Sequence, residues 1–455
     1  MSIPASFSRR SALKLGVATG SVFAVSSLLA ACSDPSEGGG SAANTDSWTK
    51  ANMDWKQQAG ATLVFGASTH QWITALQPHL PTFESLTGIK VRLDVAGEEQ
   101  FNTKLPVDLN SGSPTPDIFM VPSYGQAVGA KWLEPLDDFL SNTKLTDEKW
   151  FDDTEIFQSA RDFVTWKDGT RYGMPITAEV QTTIYRSDLL KSAPKTFDEL
   201  ETVVARLKSE GKVDAGIALR GKPTAGAIAW PAAGYVFSYG GYLIDPDGKA
   251  ALDSPETVAA VQRYADVLKA GGPAGVSSWD WLEINTAMQQ GRAGMMQDST
   301  NAIPDLRNPD KSTIADKFAV GAFPSQDGRS SPNLWHWIVG LNSKGKNKDA
   351  AWLFLQWATS KPTSILLSTN GATPPRTSAW ENPSFAEGFG KEAAETVLGQ
   401  LKAVDSKPMV AAWMHPKWPQ VGDAFARAAN TAVTSGTSAK DALADAQKAA
   451  AQALG

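Results

Sequence analysis

The sequence predicts an α/β protein with two lobes behind an N-terminal export signal. Short apolar stretches over 61–65, 89–95 and 116–121 have the length and composition of buried strands, and helical periodicity lies between them. Strands that alternate with helices predict a parallel sheet covered on both faces. The chain after the signal exceeds the ~250–300 residues that one hydrophobic core usually holds, so we expect two lobes.

The first 31 residues have the pattern of a secretory signal peptide. Arg9, Arg10 and Lys14 precede an uncharged segment over 15–31, which ends in small residues before Cys32. The consecutive arginines indicate the twin-arginine export route. Glycines and serines interrupt the uncharged segment, which is short for a membrane span of ~20 residues. We therefore predict cleavage of this segment rather than an uncleaved membrane helix.

The residues Leu-Ala-Ala-Cys at 29–32 resemble the lipobox of bacterial lipoprotein precursors. The resemblance implies a signal peptide over 1–31 and a lipid on Cys32. The Ser- and Gly-rich segment that follows predicts a flexible tether over 32–54. Cys32 is the only cysteine, so the mature chain would contain no free thiol for a disulfide or a nucleophile. We expect an exported protein anchored to the outer face of the bacterial cell membrane.

The charge of the chain narrows its partners. The formal net charge is −6 and becomes −9 when the cationic signal peptide is removed. An acidic chain argues against nucleic acid and anionic membrane surfaces as partners. His79 and His415 lack a companion at metal-ligand spacing, so we expect neither a metal nor a cofactor. We also expect a monomer that contacts the membrane only through Cys32.

The remaining elements follow from apolar periodicity. Helices are predicted over 76–86, 101–109, 197–208 and 255–270, further strands over 215–219, 294–297 and 338–341, and an alanine-rich helical segment over 424–454 with a break near Gly436. Trp352 and Trp357 lie in a segment rich in Leu and Phe, which predicts that both rings are buried in a core.

Five stretches carry a resemblance to a known family. They are Pro-Asp-Ile-Phe from 116, Gly-Thr-Arg-Tyr-Gly-Met-Pro from 169, Gly-Arg-Ala-Gly-Met-Met from 291, Ser-Lys-Gly-Lys-Asn-Lys-Asp-Ala-Ala-Trp from 343 and Thr-Pro-Pro-Arg from 373. In this order and spacing, they resemble the extracellular solute-binding proteins of carbohydrate ABC importers, the group that includes maltose-binding protein. The five stretches together extend over nearly the whole mature chain.

The resemblance implies a periplasmic-binding-protein fold, type II-like, with a hinged ligand cleft and several crossovers between lobes. The N-lobe would comprise 55–177 and 333–373, and the C-lobe 178–332 and 374–455. The implied function is capture of a sugar or sugar alcohol by lobe closure and its delivery to ABC permease subunits. Such a protein has no catalytic step.

The candidate ligand residues follow from the chemistry of a sugar. Its C–H faces suit flat aromatic rings, and its hydroxyls both donate and accept hydrogen bonds. Such side chains stand where predicted strands end in loops and in the predicted loops of the C-lobe. The candidates are Trp72, Glu98, Tyr124, Gln126, Glu179, Gln181, Trp230, Tyr235, Asp298, Asn301, Trp335, His336, Arg376 and Trp413.

Two alternative functions remain open at this point. An exported glycoside hydrolase also binds sugars with aromatic residues, and Glu98 with Glu179 could form its pair of carboxyl groups. A binding protein for a non-sugar solute, such as an amine or a phosphodiester, would have the same two-lobe architecture.

Overall fold

Two β-sheets form the framework of the fold. The computed structural model describes residues 46–455 apart from residue 370, so the predicted signal peptide, Cys32 and most of the predicted tether lie outside the described residues. The strands are β1 Thr62–Ser68, β2 Lys90–Ala96, β3 Ile118–Met120, β4 Met174–Pro175, β5 Glu179–Arg186, β6 Met295–Ser299, β7 Phe318–Gly321, β8 Leu334–Trp335 and β9 Ile338–Leu341.

Helices surround both sheets. In the first part of the chain they are α1 Asp46–Thr49, α2 Gln71–Leu76, α3 Leu80–Thr87, α4 Glu98–Asn110, α5 Tyr124–Gly129, α6 Asp137–Ser141, α7 Glu148–Phe151, α8 Gln158–Asp162, α9 Phe197–Ser209, α10 Ala229–Ser238 and α11 Pro255–Gly271. They continue with α12 Trp281–Gln289, α13 Ile303–Arg307, α14 Lys348–Thr359, α15 Lys361–Ser368, α16 Thr377–Trp380, α17 Pro383–Phe389, α18 Lys391–Ala403, α19 Lys407–Trp413, α20 Trp418–Thr434 and α21 Ala439–Leu454.

The first sheet has the strand order β2-β1-β3-β9-β4. β1 is parallel to β2 and β3, as the alternation of strands and helices predicts, whereas β9 is antiparallel to β3 and β4. α14 covers this sheet, because Phe354 packs 5.7 Å from Phe65 and 5.1 Å from Phe83, measured between ring centroids. Trp352 and Trp357 are fully buried here, which confirms their predicted core position.

The second sheet has the order β6-β5-β7, and β8 pairs with the start of β5. β5 is antiparallel to β6, β7 and β8, so the prediction of a parallel sheet is wrong for these strands. The predicted strand over 215–219 is also not a regular strand. It forms only single parallel bridges, from Ala215 to Ala293 and from Ala218 to Met296. The backbone there packs against α9, where a Cβ on Gly216 would lie 2.1 Å from the carbonyl oxygen of Val204.

The predicted long helices are confirmed as α3, α4, α9 and α11, and the alanine-rich segment as α20 and α21. Side chains cap several of these helices. The Oγ1 of Thr196 accepts from the N–H of Glu199 at the start of α9, and the Oγ of Ser254 accepts from the N–H of Thr257 at the start of α11. Ser438 caps α21 in the same way, after the predicted break.

Two segments connect the two sheets, and we call the parts built around the sheets the first lobe and the second lobe. Residues 176–178 lead from β4 to β5, and residues 336–337 lead from β8 back to β9. Residues 372–376 lie beside them, since the N–H of Ala178 donates to the carbonyl oxygen of Thr373. The residue bounds that the sequence predicts for the lobes stay predictions.

Within residues 46–455 apart from 370, no helix combines the length and the apolar character that crossing a membrane requires. The same residues contain no group of three or more His, Cys, Asp or Glu side chains placed to hold a metal ion.

Candidate functional site

Loops from the two lobes face each other at the ends of β1, β2 and β6. His70 and Gln71 follow β1, and Glu98 begins α4 just after β2. On the second lobe, Asn301 follows β6, and its carbonyl oxygen accepts from Nε2 of Gln71 at 3.5 Å. Ligands of open α/β sheets bind beyond such strand ends. We call the region between the segments 69–72, 98 and 298–301 and the crossover 335–337 the candidate cleft; only some side chains of these segments face it.

A buried ion pair lies on the second-lobe side of the candidate cleft. Nε and Nη2 of Arg220 donate to the two carboxylate oxygens of Asp298 at 2.8 and 2.5 Å. The N–H of Ser299 also donates to Asp298, and Nη1 of Arg220 donates to the carbonyl oxygen of Gly226 at 2.9 Å. The Asp298 side chain is fully buried. The predicted ligand residue Asp298 is therefore bonded to protein donors at both oxygens.

Two tryptophans flank this ion pair. The guanidinium carbon of Arg220 lies 5.5 Å from the ring centroid of Trp230 and 5.2 Å from that of Trp281, which is cation–π distance. Asp280 and Glu283 form a capping box at the start of α12. The carboxylate of Asp280 also accepts from the N–H of Trp281 at 2.8 Å. Trp230 is buried and Trp281 is half-buried, so the predicted ligand residue Trp230 lies beside the pair.

A second aromatic cluster joins the crossover 335–337 to the first lobe. The Trp335 ring centroid lies 5.9 Å from that of Trp337 and 6.5 Å from that of Trp413. The Trp337 ring lies 5.1 Å from the imidazole of His70. Trp335 and Trp337 are half-buried, whereas Trp413 is buried and donates from Nε1 to Oδ1 of Asn333. The predicted residues Trp335 and Trp413 thus belong to one cluster.

His70 enters this cluster as a neutral ring. Burial lowers its pKa to about 4, so the imidazole is uncharged at neutral pH. Its Nδ1 accepts from the N–H of Trp72, which leaves the proton of the neutral ring on Nε2. The predicted residue Trp72 is itself buried against Phe65 rather than turned toward the cluster.

Glu179 is the centre of a hydrogen-bond network between the crossovers. One carboxylate oxygen accepts from Oγ of Ser299 at 2.6 Å, and the other from Oγ1 of Thr177 at 3.3 Å. The predicted residue Asn301 also bonds to Glu179, and its Oδ1 accepts from Oγ1 of Thr373 at 2.8 Å. Burial raises the pKa of Glu179 to about 7, because its partners are hydroxyl and amide groups that compensate little of its lost hydration.

The structure does not bring Tyr124 and Gln126 into this region. The Tyr124 hydroxyl is buried, donates to the carbonyl oxygen of Val164 and accepts from the N–H of Tyr172. Gln126 is exposed on α5. This helix packs tightly on the segment after α19, since a Cβ on Gly125 would lie 2.3 Å from the carbonyl oxygen of Met414.

Tyr235 and Gln181 lie within the packing of the second lobe. The Tyr235 hydroxyl donates to Oε1 of Gln297 at 2.6 Å, and its ring packs 4.6 Å from that of Phe197. Nε2 of Gln181 donates to the carbonyl oxygen of Pro231 at 3.0 Å. A Cβ at Gly234 would lie 1.9 Å from Oε1 of Gln181, so the glycine permits this close approach. Both side chains stabilise α10 against the sheet.

Arg376 and His336 are also bonded away from the candidate cleft. Arg376 is fully buried, donates to the carbonyl oxygens of Thr359 and Asp152, and pairs with Glu155 at 3.1 Å. His336 is buried, and its Nδ1 contacts the carbonyl oxygen of Thr177 at 2.9 Å. Burial lowers the pKa of His336 to about 4, so this ring too is neutral at pH 7.

The sequence-based candidates omit five side chains that the structure brings to this region: His70, Arg220, Asp280, Trp281 and Trp337. A signal existed for some of them. Arg220 directly follows the apolar stretch 215–219, and His70 follows β1, so the rule that polar residues after strands line a cleft selects both. Asp280 and Trp281 begin a helix instead, and no strand precedes them.

Comparison with known proteins identifies the family. Residues 66–364 match the family of bacterial extracellular solute-binding proteins. This chain belongs to that family. Membership in a family of binding proteins supports the prediction of a protein that binds rather than transforms its solute, and it implies an extracellular or periplasmic location.

Two relatives of this solute-binding protein are similar over most of its length. One is the erythritol/L-threitol-binding protein of Mycolicibacterium smegmatis, 27% identical over 391 residues, which are 79% of this chain and 81% of that protein. Another is the mannitol-binding protein of Pseudomonas aeruginosa, 26% identical over 421 residues, 87% of this chain and 94% of that protein.

Solved structures confirm the predicted fold class. A solute-binding protein of Agrobacterium radiobacter K84 in complex with ribitol superposes with a TM-score of 0.78 at 23% identity, over 87% of this chain and 99% of that one. A solute-binding protein of Agrobacterium vitis S4 with bound D-mannitol superposes with a TM-score of 0.73 at 26% identity, over 86% and 97% of the two chains. This solute-binding protein therefore has the two-lobe periplasmic-binding-protein fold with a hinged cleft.

Proposed function

We propose that this solute-binding protein captures a linear polyol or a small sugar between its lobes and delivers it to the permease of an ABC importer. The observation that carries the proposal is the pair of Arg220 and Asp298, whose guanidinium lies at cation–π distance from the rings of both Trp230 and Trp281. Similarity to an erythritol/L-threitol-binding and a mannitol-binding protein supports a polyol in particular.

The chemistry of the candidate cleft suits such a ligand. Indole rings at 281, 335 and 337 are half-buried and offer flat apolar faces to C–H groups. His70 supplies a neutral N–H donor, and Gln71 has a buried side-chain oxygen with no hydrogen-bond partner among the residues that the structure describes. Hydroxyl groups both donate and accept, so a polyol can satisfy both kinds of group at once.

Of the residues predicted from sequence, we propose Glu98, Trp230, Asp298, Asn301, Trp335 and Trp413 as contributors to the cleft. We assign Glu179 to the hydrogen-bond network of the crossovers. The other seven predicted residues are six buried side chains, Trp72, Tyr124, Gln181, Tyr235, His336 and Arg376, and the exposed Gln126 on α5. We propose that these seven do not contact the ligand.

A pair of neighbouring variants tests the proposal. Trp281 packs on Arg220, whereas the adjacent Leu282 is 70% exposed on the same helix. A thermal-shift screen with erythritol, ribitol, mannitol and monosaccharides identifies a ligand, because binding to the native state raises the melting temperature. Calorimetry should then show that Trp281→Ala weakens binding by about tenfold or more, since an apolar contact is lost. Leu282→Ala should keep a ligand affinity within about twofold of the wild type. Equal losses of affinity in the two variants would contradict the proposed site.

We further propose that the mature protein begins at a lipid-modified Cys32, that the twin-arginine route exports it, and that it acts as a monomer on the outer face of the membrane. The lipobox-like residues before Cys32 and the paired Arg9 and Arg10 support this proposal. Mass spectrometry of the membrane-extracted protein tests it by identifying the N-terminal residue and its modification.

A further inference from the structure

The charge of the candidate cleft restricts its ligands. Arg220 is a cation at the second-lobe side of the candidate cleft, and its charge is already compensated. Nε and Nη2 are bonded to Asp298, Nη1 donates to a backbone carbonyl, and Nη1 lies 3.8 Å from Oδ1 of Asp280. The ring centroids of Trp230 and Trp281 lie 5.5 and 5.2 Å from the guanidinium carbon. A phosphate or carboxylate could bind the Nε–Nη2 edge only by displacing Asp298, which would leave a buried carboxylate unpaired.

Carboxylates outnumber cations around this pair. Glu98 of the first lobe keeps contact with solvent, but the surrounding protein raises its pKa, as does the charge of Asp280 across the cleft, while Arg220 lowers it. Lys222 pairs with Asp280 at 3.5 Å and is half exposed. His70 adds no positive charge at neutral pH. Even without Glu179, whose pKa burial raises to about 7, the three carboxylates Glu98, Asp280 and Asp298 outnumber the two cations Arg220 and Lys222.

We infer that the cleft selects uncharged polyols and sugars and rejects their phosphorylated and carboxylate derivatives, with Glu98 and Asp280 as the rejecting groups. This inference rests on the proposed function. An anionic ligand group would lie near these two carboxylates, while the neighbouring cations Arg220 and Lys222 are already paired with Asp298 and Asp280. Like charges placed together across an interface oppose binding strongly. An uncharged ligand of the same length meets no such repulsion.

Two variants remove one charge each with little change of shape. Asp280→Asn keeps a side-chain oxygen that can accept from the N–H of Trp281, so the cap of α12 is preserved. Glu98→Gln keeps the length of the side chain at the first residue of α4. Melting curves of both variants should match the wild type within a few degrees, which shows that the fold is retained.

The experiment compares each neutral ligand with its anion: ribitol with ribonate, and mannitol with mannitol 1-phosphate, by calorimetry at pH 7.5. We expect the wild type to bind the anion at least about a hundredfold more weakly than the neutral ligand. Each variant that neutralises one carboxylate should reduce the ratio of neutral-ligand affinity to anion affinity by roughly tenfold. Added salt should also reduce this ratio for the wild type, because it screens the repulsion.

The possible failures are distinguishable. If the wild type binds the neutral ligand and binds its anion with an affinity within tenfold of that, the inference is overturned and the proposed function still stands. If both variants keep the wild-type ratio of neutral-ligand affinity to anion affinity, Glu98 and Asp280 are not the groups that reject anions. Tight binding of an anion without binding of any neutral polyol or sugar would overturn both the inference and the proposed function.

Discussion

Removal of the Asp298 carboxylate should destabilise this protein strongly, because it leaves Arg220 as an unpaired buried charge. The Asp298 side chain has no exposed surface, and that of Arg220 is 11% exposed. In Asp298→Ala, Nε and Nη2 of Arg220 both lose their acceptor. Breaking a buried pair by removing one partner costs about 3–5 kcal/mol, so we expect a loss of that size in the free energy of unfolding.

A double-mutant cycle on Arg220 and Asp298 measures the interaction energy between the two side chains. Arg220→Met alone removes the cation but leaves a buried carboxylate, and we expect a comparable loss. The double variant Arg220→Met with Asp298→Ala contains neither charge. Its loss should be smaller than the sum of the two single losses by about 2 kcal/mol or more, since charges in direct contact couple.

Urea unfolding followed by tryptophan fluorescence and circular dichroism measures these losses. Coincident transitions by the two probes are required, because a two-lobe protein can unfold in more than one step. Asp445→Ala is the control: its pair with Lys448 is 88% and 78% exposed at the two side chains, so its removal should change stability by less than about 1 kcal/mol. If Asp298→Ala costs no more than Asp445→Ala, the buried pair does not stabilise the second lobe. Should Asp298→Ala fail to fold, Asp298→Asn retains one acceptor oxygen and extends the same comparison.

Three further predictions concern pH, anchoring and catalysis. Burial raises the pKa of Glu179 from 4.5 to about 7, so the folded state binds its proton more tightly than the unfolded chain, and this contribution to stability is lost as the pH rises from about 4.5 through 7. Between pH 5 and pH 8 the wild type should therefore lose about 2–3 kcal/mol relative to Glu179→Gln in urea titrations, and a constant difference would contradict the burial argument. Cys32→Ala should move the protein from the membrane to the soluble fraction, whereas an intact Met1 terminus found by mass spectrometry would refute the lipid anchor. Stoichiometric protein should return polyols and oligosaccharides unchanged, and release of reducing ends that Glu98→Gln abolishes would favour a hydrolase instead.

The strands that the sequence predicts well have simple patterns. β1 and β9 are short apolar segments between polar loops, and packing against helices on both faces requires that pattern. β2 alternates apolar and charged residues, which is the pattern of a strand with one face exposed. β5 was not predicted, although it is the central strand of the second sheet. It contains Gln181, Thr182 and Thr183, whose side chains are fully buried and bond to Pro231, Gly321 and Gln297. A hydrophobicity pattern does not predict a buried strand whose polar side chains form hydrogen bonds with distant segments.

The direction of strands in the second sheet could not be predicted for a related reason. Alternation of strands and helices predicts parallel pairing only when each crossover stays within one sheet. Here β5 enters the second sheet directly from β4 of the first sheet, through residues 176–178. It therefore lies antiparallel to β6 and β7. The resemblance to solute-binding proteins implied crossovers between lobes, but not the direction that each one imposes.

Ligand-binding side chains are harder to predict than strands, because the sequence does not show whether a polar side chain bonds to the protein or to the ligand. Tyr124, Tyr235 and Arg376 each have the chemistry of a ligand contact, yet each bonds to a backbone or side-chain group from a distant segment. Arg220 and Asp298 illustrate the reverse case. Each follows an apolar stretch, but their pairing joins positions 78 residues apart, so only the fold reveals that the carboxylate is already occupied.

The crossovers and the candidate cleft share residues, and this links lobe movement to the ligand-facing rings. Trp335 is paired with Glu179 between β8 and β5, and the N–H of Trp337 donates to Oγ1 of Thr177 at 3.1 Å. Thr177 in turn donates to Glu179. The two indoles are therefore fixed to the short segments that join the sheets, whereas Trp281 belongs to a helix of the second lobe. A change in the angle between the lobes must change the spacing between these rings, so a ligand held by rings of both groups favours one angle over the others.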